Sequence, residues 1–106
     1  MTVPRLADRS RRFALVLPVT VTGVDVSGRA FSEATRTLNV SGGGLAFETS
    51  RRLEIGSRLL LDIKLPPRLR RPFGGRPRYR VVAVVCRLFV TADGPDRVGV
   101  RFVGEP

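Results

Sequence analysis

The chain has 106 residues, with nineteen basic side chains against nine acidic ones, no histidine, one cysteine and a net charge of +10 at pH 7. That length supports one hydrophobic core, the apolar fraction of 42% lies well above disorder, and no run approaches the roughly 20 apolar residues that cross a bilayer. The commonest proton shuttle near neutral pH is missing, and one cysteine excludes an internal disulfide and any cysteine-based metal cluster, so neither an enzyme nor a metal or other cofactor is expected.

Residues 1–12 are charged and lack an apolar signal core, which reads as a flexible basic leader on a cytoplasmic protein. From Phe13 the chain alternates, with Phe13, Leu15, Leu17, Val19 and Val21 on one face, the period-two pattern of a half-buried strand. Pro18 has no N–H to give a ladder and predicts an edge position or a bulge. Gly23 to Gly28 is a turn, and Ala30 to Val40 is extended again, with Leu38 and Val40 expected inward. Asn39-Val40-Ser41-Gly42-Gly43-Gly44 follows, joining an amide, a hydroxyl and three glycines. Asn39 and Ser41 lie two apart and share a face on a strand. Glycines with positive φ would let several N–H groups converge on one anion. The same residues also suit a plain hairpin in which glycine only turns the chain.

Leu45 to Glu48 reads as a short strand, Glu54 to Ser57 as a turn, and Leu59, Leu61, Ile63 and Leu65 as one face of a further strand that ends at Pro66-Pro67. The stretch through Arg80 holds Arg68, Arg70, Arg71, Arg76, Arg78 and Arg80 among prolines and glycines, and reads as a long exposed loop. Tyr79 to Val90 is mostly apolar, as expected of a strand buried on both faces, with Cys86 a buried and inert thiol. Asp93-Gly94-Pro95-Asp96 is a turn, and the last strand sets Val98, Val100 and Phe102 inward against Arg97, Gly99 and Arg101. Six strands with short polar turns and no amphipathic helix predict an all-β, antiparallel barrel or sandwich.

No carboxylate pair has acid–base spacing, and no Gly-x-Ser-x-Gly surrounds Ser41. Binding is better served. Eighteen of the nineteen basic residues are arginine, whose planar fork suits phosphate and stacks on flat rings. Arginines at the end of the leader, meeting Asn39 and Ser41, would suit a ligand with phosphates and a base.

Three blocks, in order, resemble the PilZ domain, a small bacterial β-barrel module that commonly binds cyclic di-GMP. They are the basic segment running into Arg12-Phe13-Ala14-Leu15-Val16-Leu17-Pro18-Val19, the Asn39 to Leu45 stretch, and Val98-Gly99-Val100-Arg101-Phe102. The resemblance runs from about Arg9 to Phe102. Asn39, Ser41 and Gly44 fit the family's [D/N]-x-S-x-x-G motif. The resemblance implies a six-stranded antiparallel barrel of the split-barrel type over residues 13–106. It also implies cyclic di-GMP binding through Arg9, Arg11, Arg12, Asn39, Ser41, Gly43 and Gly44, coupled to an unknown protein effector in signal transduction. No specific nucleic acid and no membrane-spanning segment are expected. The family's R-x-x-x-R element is not matched: with Arg12 as its second arginine, the first position falls on Asp8, with Arg9 beside it. The C-terminal helix that covers the barrel mouth in many relatives is not evident before Pro106. Two other readings follow from the same residues. One is a degenerate module that keeps the barrel for protein interaction, and the other is a nonspecific polyanion binder working through the Arg68–Arg80 segment.

Overall fold

The computed structural model describes residues 14–106. Six strands run in chain order: β1 (Pro18–Val24), β2 (Ala30–Val40), β3 (Gly44–Thr49), β4 (Arg58–Lys64), β5 (Arg78–Phe89) and β6 (Asp96–Gly104). All pairings are antiparallel, and β1 pairs with both β2 and β4, which closes the sheet into a barrel of order β1-β2-β3-β6-β5-β4. The all-β barrel implied by the resemblance is therefore the observed fold. Closure satisfies both edges of every strand.

The alternation in the sequence decides which side chains fill the interior. Val21, Phe47, Leu61, Val81 and Ala83 are wholly buried, and Leu17, Val19, Leu59, Ile63, Val85, Val98 and Val100 join them. Each comes from the apolar phase of its strand, except Leu17, which directly precedes β1. Filling a closed barrel this way removes most of each aliphatic side chain from water, about 1.5–3 kcal/mol apiece.

Several elements differ from the sequence-based expectation. The first strand begins at Pro18 rather than Phe13. Proline opens the strand, where no ladder donor is demanded, so it needs neither an edge nor a bulge. The preceding Leu17 is tied down instead by its N–H to Thr37 Oγ1 at 2.9 Å and by the Thr37 N–H to its carbonyl at 2.9 Å. Strand β5 is not buried on both faces. Tyr79, Val81, Ala83 and Val85 point in, whereas Arg78, Arg80 and Cys86 are exposed, as barrel geometry requires of alternate positions.

The arginine-rich stretch is no structureless loop. Two short 3-10 turns, Pro67–Leu69 and Arg71–Phe73, carry it across one end of the barrel. Pro67 and Pro72 preset φ for the turns, and Gly74 and Gly75, at φ 71° and 76°, end them in the left-handed region. Phe73 is buried, 4.8 Å from Tyr79 between ring centroids, and Tyr79 is 6.1 Å from Phe102 in an edge-on contact. These rings, with Leu17, Val40, Leu65 and Leu69, stopper the mouth. Burial pushes the Tyr79 phenol up, so it stays neutral through physiological pH. The Asn39–Gly44 stretch joins β2 to β3 at this same end.

Candidate functional site

The sheet register shifts at three places, and two of them shape the outer surface near the β2–β3 connection. The β2–β3 register shifts between Thr37 and Asn39, and the β5–β6 register shifts between Val85 and Arg87 as well as between Val82 and Ala83. A bulge places two consecutive residues where the partner has one, and so re-aims side chains. On β2 this turns Leu38 outward beside Asn39, against the expectation that Leu38 faces the core. On β5 it turns both Cys86 and Arg87 outward, so Cys86 is an exposed thiol rather than a buried one.

In the sheet order, β3 and β6 lie between the two bulged strands. The outer positions of this central pair are small where it matters: Gly44 faces Arg101, and Ala46 faces Gly99. Low floor and raised walls make an open groove of about 770 Å³. Asn39, Ser41, Gly43 and Gly44 line it, with Leu38 beside them, Cys86, Arg87 and Phe89 from β5, and Arg97, Gly99 and Arg101 from β6. Three arginines line the groove and no acidic residue does.

The residues of the Asn-x-Ser-x-x-Gly stretch have separate physical jobs. The Ser41 N–H donates to the Gly44 carbonyl at 2.9 Å, and the Gly43 N–H donates to Ser41 Oγ at 3.3 Å. The serine therefore closes the turn. Gly43 is pinned through its carbonyl, which accepts the Phe102 N–H at 2.8 Å. At Gly44 a Cβ would sit 2.1 Å from the Val100 carbonyl oxygen, so only glycine lets β3 approach β6 here. None of Gly42, Gly43 and Gly44 has a positive φ. Of the two readings the sequence left open, the anion-cradling loop of left-handed glycines is not formed, and close strand contact is what Gly44 provides. Asn39 is different. It lines the groove, and its amide, which can both donate and accept, makes no hydrogen bond among the described residues.

Arg9, Arg11 and Arg12 lie outside the described residues. The described chain starts close by, since the Leu15 carbonyl accepts from Thr37 Oγ1 at 2.6 Å, two residues from Asn39.

Sequence reasoning missed the far wall. In the sequence Arg101 takes an ordinary outward position, and Arg87 and Phe89 pass unremarked within a strand expected to be buried on both faces. Phe89 is 60% exposed at the groove's edge, a flat face of the kind on which a base stacks. Arg97 is committed to Glu48 at 3.8 Å, whereas Arg87 and Arg101 have no salt bridge among the described residues. No helix of the described residues is long and apolar enough to cross a membrane.

Comparison with known proteins places this barrel. No curated protein matches the chain. Among solved structures it is similar to the Bacillus subtilis inhibitor of motility MotI/DgrA, at 21% identity and TM-score 0.68, covering 96% of this chain and 46% of that one. The chain thus spans about half the length of that protein. It is also similar to the PilZ domain of CeSA from a cellulose-synthesizing bacterium, at 18% identity and TM-score 0.59, covering 92% of this chain and 84% of that one. A third likeness is to the PilZ domain of YcgR from Escherichia coli, solved with c-di-GMP, at 14% identity and TM-score 0.53, covering 91% and 79%. The PilZ domain family model matches residues 6–106, and on that match the chain belongs to the PilZ domain family.

Proposed function

We propose that this domain is a non-enzymatic, cytoplasmic receptor for cyclic di-GMP that passes occupancy on to a protein effector. One observation carries the reading: a groove of about 770 Å³ lined by three arginines and no carboxylate, with the Asn39 amide open at its rim. Guanidinium groups and an uncommitted amide are what a ligand with two phosphates and two guanines asks of a protein. The structure of the YcgR PilZ domain with c-di-GMP supports that ligand, and the likeness to the motility inhibitor MotI/DgrA supports a regulatory output. Asn39, Ser41, Gly43 and Gly44 form one rim of the site. Arg9, Arg11 and Arg12, outside the described residues, are included in the proposal as auxiliary ligand contacts.

One observation favours the degenerate, protein-binding reading: Ser41 and Gly44 have structural duties that need no ligand. Titration calorimetry with cyclic di-GMP at physiological salt, with GTP and cyclic di-AMP as controls, decides between them. Saturable binding to cyclic di-GMP alone, weakened by Asn39→Ala, establishes the receptor. Absence of heat from a folded protein makes the interaction module the leading account and moves the search to protein partners.

A further inference from the structure

We infer that the cations gripping the ligand's phosphates in this chain are Arg87 and Arg101, on the barrel itself, and that Gly99 positions Arg87 for the task. The inference rests on the reading of the groove as a cyclic di-GMP site.

The leader gives the first reason to look elsewhere for phosphate contacts. The position where an R-x-x-x-R pair would begin is Asp8, a carboxylate that repels phosphate. The barrel supplies the second reason. Three arginines line the groove, and one of them, Arg97, has a carboxylate partner in Glu48, 3.8 Å away in an exposed pair. Arg87 and Arg101 keep their charge uncompensated by any salt bridge among the described residues, beside a lining without acids. Like charges held in a concave site focus the field on an incoming anion.

Their placement is specific. Arg101 is the register partner of Gly44, so its side chain springs from the floor opposite the Asn39–Gly44 rim. Arg87 is the register partner of Gly99, two residues from Arg101 and on the same face of β6. A Cβ at Gly99 would meet the Arg87 stem at 3.3 Å (Cβ), 3.8 Å (Cγ) and 3.9 Å (Cδ). The aliphatic stem of Arg87 therefore lies along the bare backbone of Gly99, over the groove floor. The bulge between Val85 and Arg87 turns the arginine outward, and the missing side chain at Gly99 gives its stem a bed. Along a strand two residues span about 7 Å, so the two arginines start from neighbouring points of one floor, close enough for one ligand to meet both.

The test uses the full chain. Calorimetry with cyclic di-GMP is run on wild type, Arg87→Gln, Arg101→Gln, Gly99→Val and an Arg9/Arg11/Arg12 triple alanine variant, each checked for fold by circular dichroism. Losing one charge-assisted phosphate contact weakens binding about 10- to 100-fold. That loss is expected for each glutamine variant, and the leader triple variant is expected to lose less than about fivefold. Gly99→Val is expected to match Arg87→Gln, and to add nothing when combined with it, because both remove the same contact. Wild-type binding that survives both glutamine variants and vanishes in the leader variant overturns the inference and leaves the receptor reading intact. Absence of cyclic di-GMP binding by wild type overturns the receptor reading. The groove is then tested with inorganic pyrophosphate, following the arginine Nε–H signals by NMR. Shifts confined to Arg87 and Arg101 support them as the anion-holding pair, and no shift at either overturns that too.

Discussion

At the scale of single residues, Asn39 and Gly44 are both letters of one motif, yet they answer to different forces. Gly44 is fixed by packing: a methyl group there would drive into the Val100 carbonyl and neighbouring backbone. Gly44→Ala is expected to destabilise the barrel by about 3 kcal/mol, the upper range for overpacking against an unyielding wall. Asn39→Ala removes an amide with no partner among the described residues, and its stability is expected to stay within about 0.5 kcal/mol of wild type. Urea unfolding of the two variants checks this. Equal losses would mean that the asparagine, too, is part of the scaffold.

At the scale of elements, β2 carries a tie that senses pH. Glu33 on β2 accepts from the Thr49 hydroxyl at the end of β3, and from the N–H and hydroxyl of Ser50 at 3.0 and 2.6 Å. Partial burial works against its charge, but the hydrogen bonds from Ser50 and Thr49 outweigh it and hold the carboxyl below the ordinary glutamate range. A carboxyl lowered in the folded state stabilises the fold above its unfolded value and loses that contribution as pH falls through the folded one. The stability gap between wild type and Glu33→Gln is therefore expected to be constant near neutrality and to narrow below about pH 4.3. Denaturant midpoints across that range measure it, and a gap that does not narrow would deny Glu33 this role. The strands themselves were legible, because a closed barrel with one buried face imposes a period of two on Val19–Val21, Leu59–Ile63 and Val98–Phe102. The bulges at Leu38 and Arg87 were not. A bulge belongs to a pair of strands and leaves no mark in either one alone, so the groove's far wall stayed hidden while its Asn39–Gly44 rim was read directly. Phe73 was lost among arginines for a similar reason, since its burial depends on Tyr79 and Phe102.

At the scale of the whole molecule, charge is distributed unevenly between the two ends of the barrel. Asp25, Glu54, Asp93 and Asp96 sit in or beside the turns at one end, where Arg51 and Arg52 pair with Asp25 and Asp96. Lys64, Arg68, Arg70, Arg71, Arg76, Arg78 and Arg80 crowd the other, where the 3-10 turns cover the mouth and the β2–β3 connection lies. Two carboxylates lie there: Asp62, which pairs with Arg78 at 3.8 Å, and Glu105, near the Tyr79 phenol. An anion approaching the groove is drawn to this end before it makes contact. The association rate of cyclic di-GMP is expected to fall as salt rises past about 0.15 M, with dissociation much less affected. Stopped-flow kinetics at several ionic strengths reads both rates, and a salt effect confined to dissociation would contradict long-range steering.

The close approach of β3 to β6 at Gly44 also bears on how such sequences drift. A lineage that stops using the ligand is released from holding an amide at the position of Asn39, but it still has to build the barrel. The glycine then outlives the function it is usually taken to signal, and two domains of equal shape can differ in ligand by the fate of one neighbouring side chain. In sorting receptors from silent modules, the informative letter is the asparagine, and the glycine records only that the barrel closes.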